Sequence, residues 1–519
     1  MTLVPLVRRR SSELPGAAIS KEIEDRRTPE LVIAFVGPIG AGVSTAAASL
    51  TTLLSDEYGY EVRNYKMSEL ILSRMRDLGE PLGPWSKAGE RIQALQKAGN
   101  RLRGLFGDDY LAKLAVREIA RKRVASGGYR DPELQVVEPR KVAHVIDGLK
   151  NPAEYSLLEL VYGEIFWLLG VFAPEGLRKR RLHDRGVVDD CDLVVKHDED
   201  EEGSSGQKVR ELFFRADYFL RNDSSTTDQI AADLDRFLRV VLNIGVNGPT
   251  ADESGMFSAA AAATRSACLS RQVGAAIYSK NNELLGVGWN DVPKAGGGLY
   301  VGAPPGATSA DSRCYRWDGP QGRRCYNDWE KDDGAGRATQ ALEKFLRPGV
   351  DRQEVTRVLR AAAFGNVVEF SRSVHAEMEA IISIARSSAG SPVEGTLYST
   401  TFPCHNCARH IVAAGISTVF FIEPYPKSLA VKLHGDSINW ETSGTAQKMV
   451  SFLQYAGFAP RNIVELFAHG VERKREGLPI VNKRQDAVPV FMPLLDAFSI
   501  YEKKVVEDLE KEPESGGER

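Results

Sequence analysis

The sequence predicts an α/β protein of two successive domains, the first built on a doubly wound parallel sheet. Short apolar runs at 31–36, 142–146 and 165–172 have the character of strands buried on both faces. Helix-length segments separate them, the alternation that places helices on both sides of a parallel sheet. At 519 residues the chain is too long for one compact core, and the turn residues Asn247-Gly-Pro249 mark a junction.

The elements follow in order. Residues 1–28 lack periodicity and read as a flexible arm, and 29–246 form the first domain. Within it, 197–207 is acidic and then Gly/Ser-rich, a surface loop, and helical spacing over 228–242 closes the domain. A second domain, 250–485, opens with a helix over 256–269 and strands at 274–278 and 284–289. An insertion rich in Gly, Pro, Arg and Asp occupies about 291–348, and the sheet resumes at 395–400. The charged tail, 500–519, is expected to be disordered.

Composition narrows the function. With 43% hydrophobic and 26% charged residues the chain is of ordinary globular type. A net charge of −3 disfavours a protein that coats polyphosphate backbones. No apolar run approaches the length of about 18 residues that a membrane helix needs, so no membrane association is expected. The first ten residues carry basic side chains with no apolar stretch after them, so no secretory signal is expected. Six cysteines, two of them in Cys404-x-x-Cys407, suit metal or redox chemistry in a reducing cytoplasm.

The sharpest signal is His375-Ala-Glu377 followed by Pro403-Cys404-His-Asn-Cys407. A catalytic zinc takes three protein ligands and keeps one open position. His375 offers an imidazole nitrogen, and Cys404 and Cys407 offer thiolates that a helix start favours. Glu377, two residues past the first ligand, is placed to carry protons without itself ligating. This pairing is the signature of zinc deaminases of cytosine and adenine rings. Apolar spacing at Met378, Ile381, Ile382 and Ala385 puts His375 at a helix start, and 404–414 reads as a second helix ended by Gly415.

The flanks carry a narrower resemblance. Arg265-Ser-Ala-Cys-Leu-Ser-Arg271-Gln-Val-Gly-Ala275 and Gly288-Trp-Asn290-Asp-Val-Pro resemble motifs of deoxycytidylate deaminases, and the element order resembles the cytidine deaminase α/β/α fold. The resemblance implies a deoxyribose contact at Asn290. Arg271, Lys427 and Ser428 are candidate phosphate partners, as cationic and hydroxyl donors. Cys268, Cys314 and Cys325 could hold a second, structural zinc or remain free thiols.

In the first domain, Gly37-Pro-Ile-Gly40-Ala-Gly42-Val43-Ser44-Thr45 has Walker A spacing after a strand, with Val43 where the lysine belongs. Its backbone can still cradle an anion, but the cation that follows a transferring phosphoryl group is missing. Asp147 resembles the magnesium-side carboxylate of small-molecule P-loop kinases, residues 177–185 their basic lid, and 216–222 their late strand. A nucleotide such as ATP, GTP or a dNTP, with Mg2+, is the expected ligand, in a sensing rather than a phosphotransfer role.

A P-loop nucleoside-kinase-like domain joined to a deoxycytidylate-type deaminase resembles the bacterial anti-phage dCTP deaminases. The resemblance implies Zn2+-dependent conversion of dCTP, and of dCMP, to the uracil nucleotide and ammonia. It implies depletion of dCTP in antiviral defence, a repressor that restrains activity before infection, and control by a nucleotide effector. A homo-oligomer in the cytoplasm is expected. The alternatives are a nucleic-acid cytosine or adenine deaminase, and a dCMP deaminase fused to an active nucleotide kinase.

Overall fold

The computed structural model describes residues 21, 23–127, 129–131, 136–187, 191–199, 205–223, 228–302, 311–319, 322–365, 367, 370–388, 390–425, 428–440, 449–468 and 473–511. The chain divides into two compact units, Met1–Pro249 with Ala456–Arg519, and Thr250–Tyr455.

The first unit runs β1 (Leu31–Val36), α1 (Val43–Asp56), β2 (Glu61–Lys66), α2 (Met67–Asp77), α3 (Ala88–Phe106), α4 (Tyr110–Ala125), β3 (Val142–Asp147), α5 (Pro152–Tyr162), β4 (Phe166–Phe172), α6 (Glu175–Asp184), α7 (Cys191–Glu199), β5 (Tyr218–Arg221) and α8 (Asp228–Val241). Its five main sheet strands run parallel to one another, in the order β5-β4-β1-β3-β2. Every residue of β1 is buried, as a central strand covered on both faces requires. This is the doubly wound sheet expected.

The second unit runs α9 (Ala251–Ala263), β6 (Gly274–Tyr278), β7 (Leu284–Trp289), α10 (Tyr326–Leu342), α11 (Arg352–Ala362), α12 (Ala376–Ser387), β8 (Thr396–Thr401), α13 (His405–Ala413), β9 (Thr418–Glu423), β10 (Ile438–Trp440) and β11 (Val450–Gln454). Its sheet order is β10-β11-β9-β8-β6-β7. The hairpin β6–β7 joins antiparallel to a parallel set of four. A Cβ on Gly274 would meet Ala259 O at 2.0 Å, and one on Gly288 would meet Ala376 O at 2.1 Å. Because Gly274 opposes Trp289 rather than Gly288, the two glycines lie on opposite faces. They let α9 and α12 press against the sheet from either side.

The structure departs from the sequence expectation in four places. The second unit ends at Tyr455, not at 485. Residues 457–458 form β12 (Gly457–Phe458), antiparallel to β5, and Phe458 packs 4.7 Å from the Tyr218 ring. The helices α14 (Pro460–Phe467) and α15 (Asp496–Glu510) follow in the same first unit.

The tail is thus helical through Glu510. Phe498, Glu502, Val505 and Leu509 recur at helical spacing and are buried, a stripe that the surrounding charges disguise. Arg123, buried on α4, bonds both Glu502, 379 positions away, and Glu30. Residues 512–519, like 1–20 of the expected arm, lie outside the described residues. Arg26 of that arm pairs with Asp496.

Residues 197–199, expected in a loop, complete α7, where the buried Asp198 finds partners in the Ile39 N–H and Lys150. The opening helix of the second unit spans Ala251–Ala263, starting earlier than 256 and ending before 269. Thr250 and Glu253 form a reciprocal cap there. Among the described residues no helix is long and apolar enough to cross a membrane.

Candidate active site

His375 and Cys404 are the N-cap residues of α12 and α13, each with an extended backbone (φ −75, ψ 155 and φ −68, ψ 166). An N-cap side chain projects along the helix end, and Cys407 follows one turn into α13. Three donors thus converge from two helix starts. His375 Nδ1 lies 3.3 Å from the sulfur of Cys404 and 3.3 Å from that of Cys407. All three ligand atoms fall within 4.8 Å of one another, and both cysteines are buried.

Ligands held about 2.0–2.3 Å from one zinc in a tetrahedron stand about 3.6 Å apart. The nitrogen–sulfur spacings are close to that edge, and the N,S,S donor set suits zinc with a fourth position left open. Among the described residues this is the one group of three with such convergence. The residues fit the ion.

The protonation pattern agrees. The Cys407 hydrogen bond foremost, then His375, pull the Cys404 thiol down to about 4 against the opposing effect of burial. Burial pushes the Cys407 thiol up, and the Cys404 sulfur raises His375. A cation held here would keep the imidazole nitrogen and both thiols deprotonated instead. Burial first, and then the Cys404 charge, raise the Glu377 carboxyl. Glu377 is 4% exposed, and its Oε2 accepts from the Cys407 thiol at 3.4 Å. Glu379, equally buried, is instead paired with Arg386 at 2.7 Å.

The expected substrate residues fare unevenly. Asn290, just past β7, accepts from the Val273 N–H at 2.7 Å and donates to Arg271 O at 2.8 Å. Its amide therefore shapes the 271–273 backbone, a task that sequence reasoning missed. Arg271 is half-exposed and pairs with Glu423 at 3.3 Å. The Ser428 hydroxyl donates to Pro403 O at 2.8 Å, so its proton serves the turn before Cys404 rather than standing ready for a phosphate. Lys427 lies outside the described residues.

Cys268, Cys314 and Cys325 gather around the approach to His375. Ser373 donates to the sulfur of Cys268 and Arg372 to that of Cys314, while Cys325 lies 3.5 Å from Ser270 Oγ. They do not form a close ligand group.

In the first unit, Gly42 caps α1 at φ 92, and a Cβ there would meet Asn222 Nδ2 at 2.1 Å. Gly37 and Gly40 lie in the same loop, Ser44 and Thr45 open α1, and Asp147 ends β3 opposite Phe35. Arg181 and Asn222 donate to loop carbonyls at Gly40 and Ala41. Lys150, which sequence reasoning passed over, reaches Gly37 O at 3.2 Å and Asp198 at 2.6 Å. Asp198, 1% exposed, accepts the Ile39 N–H at 2.7 Å. The missing lysine at position 43 was the available signal, since it calls for a cation from elsewhere in the fold.

Comparison with known proteins places these features. Residues 249–423 match the family model for the cytidine and deoxycytidylate deaminase zinc-binding region. ComE operon protein 2 of Bacillus subtilis is 43% identical over 56 residues, 11% of this chain, which thus spans 29% of that relative's length. A UPF0200 protein of Saccharolobus islandicus is 28% identical over 197 residues, 37% of this chain and 85% of that protein. The dCMP deaminase of cyanophage S-TIM5, solved with dCMP and dUMP, is 19% identical, with a TM-score of 0.22, over 40% of this chain and 99% of that one.

Proposed function

We propose that this chain is a zinc-dependent deaminase that hydrolyses dCTP, and dCMP, to the uracil nucleotide and ammonia, depleting dCTP in antiviral defence. One observation carries the chemistry: the His375, Cys404 and Cys407 donors converge beside the buried Glu377 carboxylate, inside a matched zinc-binding region.

When bound, zinc would make water a competent nucleophile near neutral pH. Glu377 takes a proton from the attacking water and delivers it to ring N3. It then assists protonation of the amino group as ammonia leaves C4. Burial of Glu377 keeps competing water away and strengthens each charge interaction within the site. Asn290 fixes the segment that bears Arg271, and Arg271 can exchange Glu423 for a substrate phosphate. Preference for a triphosphate is supported by the resemblance of the two-part architecture to dCTP deaminases.

The first unit receives a nucleotide-responsive role, with a nucleotide and Mg2+ as its ligands. The absence of a lysine at position 43 argues against phosphotransfer there. A panel of dCTP, dCMP, CTP, CMP and cytosine oligonucleotides, resolved by chromatography, tests the assignment. Turnover of dCTP above the ribonucleotides supports it; turnover of oligonucleotides alone replaces it with nucleic-acid editing.

A further inference from the structure

No helix or strand covers residues 264–273, the segment between α9 and β6 that carries Arg271. Such a segment has no ladder of its own and takes its shape from side chains that bond its backbone. Beside Gln272 and Ser266 within the segment, two adjacent residues outside it supply those bonds. Asn290 holds the far end at 271 and 273. Asp291 holds the near end, its Oδ2 accepting the Ala267 N–H at 3.1 Å.

Asp291 also reaches the metal-side loop. Its carbonyl accepts the Val374 N–H at 3.0 Å, one residue before His375, and its Oδ1 accepts the Val292 N–H at 2.8 Å. The carboxylate is 1% exposed, so it requires a compensating charge. Arg313 provides it from the insertion: 4% exposed, it lies 3.6 Å from Asp291 and is bonded to Asp311 at 2.7 Å. A separate tie joins the insertion to the loop before His375, since the Arg372 guanidinium stacks 4.0 Å over the Trp317 ring.

We infer that Asp291 and Arg313 are positioning residues for substrate: their buried ion pair fastens the insertion to the segment that presents Arg271, and so sets nucleotide affinity. The inference rests on the deaminase reading above. The zinc donors stand on α12 and α13 and do not depend on the 264–273 backbone. Loosening the pair therefore degrades substrate holding while the metal set survives.

The test uses the full-length zinc protein and steady-state deamination of the preferred nucleotide, for wild type, Arg313→Gln, Arg313→Lys and Asp291→Asn, with zinc content measured on each. Arg313→Gln and Asp291→Asn are expected to raise KM roughly tenfold, with kcat within about threefold and zinc unchanged. Arg313→Lys, which keeps the charge but not the fork, recovers part of the loss. An unchanged KM, a kcat loss without a KM rise, or loss of zinc or of soluble protein in both variants assigns the pair to the fold alone and overturns the inference. A zinc-loaded wild type that deaminates no cytosine nucleotide removes the underlying reading, and the inference falls with it.

Discussion

The Lys150 ammonium and the Asp198 carboxylate lie 2.6 Å apart against the glycine loop that precedes α1. The other oxygen of Asp198 takes the Ile39 N–H at 2.7 Å, a donor that a phosphate would use in a P-loop. Under the nucleotide-responsive role proposed for this unit, Asp198 occupies a donor that a phosphate would otherwise take. Asp198→Asn removes that competing charge and frees Lys150. It is expected to tighten ATP binding by roughly tenfold, read by calorimetry. Unchanged or weaker binding contradicts this role for Asp198.

Arg123 stands between two buried carboxylates, Glu30 and Glu502, at 2.7 and 2.9 Å. Arg123→Met leaves Glu502 without its guanidinium partner and Glu30 with His144 alone, and loosens α15 from α4. A loss of about 3–5 kcal/mol is expected, seen as a lowered thermal midpoint and faster amide exchange in α15. A midpoint equal to wild type contradicts it.

The same cluster sets an acid limit. Burial works to raise the Glu30 carboxyl, but Arg123 and His144 outweigh it and hold it at about 2, below the ordinary 4.5. A depressed carboxyl contributes stability that is complete above the unfolded value of 4.5 and is lost as the pH falls toward 2. Stability of the first unit is therefore expected to fall across that window, and less steeply in Glu30→Gln, as followed by circular dichroism. Equal acid profiles for the two proteins contradict the assignment.

Gly288 has no room for a side chain, with Ala376 O and Ala380 N at 2.1 and 2.4 Å from a Cβ built there. Gly288→Ala pushes against the first turn of α12, which carries Glu377. A destabilisation of about 1–3 kcal/mol with a marked drop in turnover is expected, checked by melting and deamination rate. A variant of wild-type rate shows that the helix does not need this close approach.

The zinc donors were legible in the sequence because their spacing is local: His375 and Glu377, and Cys404 and Cys407, each fall within one helical turn. The parallel sheet was legible because β1 and β4 are unbroken apolar runs and the run at 142–146 is interrupted only by His144. What stayed hidden depends on distant partners. Lys150 meets Asp198 only because α7 folds back on the loop, and the charge of 197–207 concealed the burial of Asp198. Glu502 is buried against Arg123 at a separation of 379 residues, so a stretch with the composition of a tail proved to be a core helix. Asn290 and Ser428 were of the right type for substrate, but backbone groups nearby already engage them.

The central claim is that Glu377 moves protons for a reaction at a zinc held by His375, Cys404 and Cys407. Its most direct measurement is the rate of dUTP and ammonia release from dCTP by wild type and Glu377→Gln, with zinc counted on both samples. The expected result is about one zinc per chain in each, with the rate of the variant lower by about 10²–10⁴-fold. Turnover by Glu377→Gln equal to that of wild type, or an active wild type free of zinc, contradicts the account.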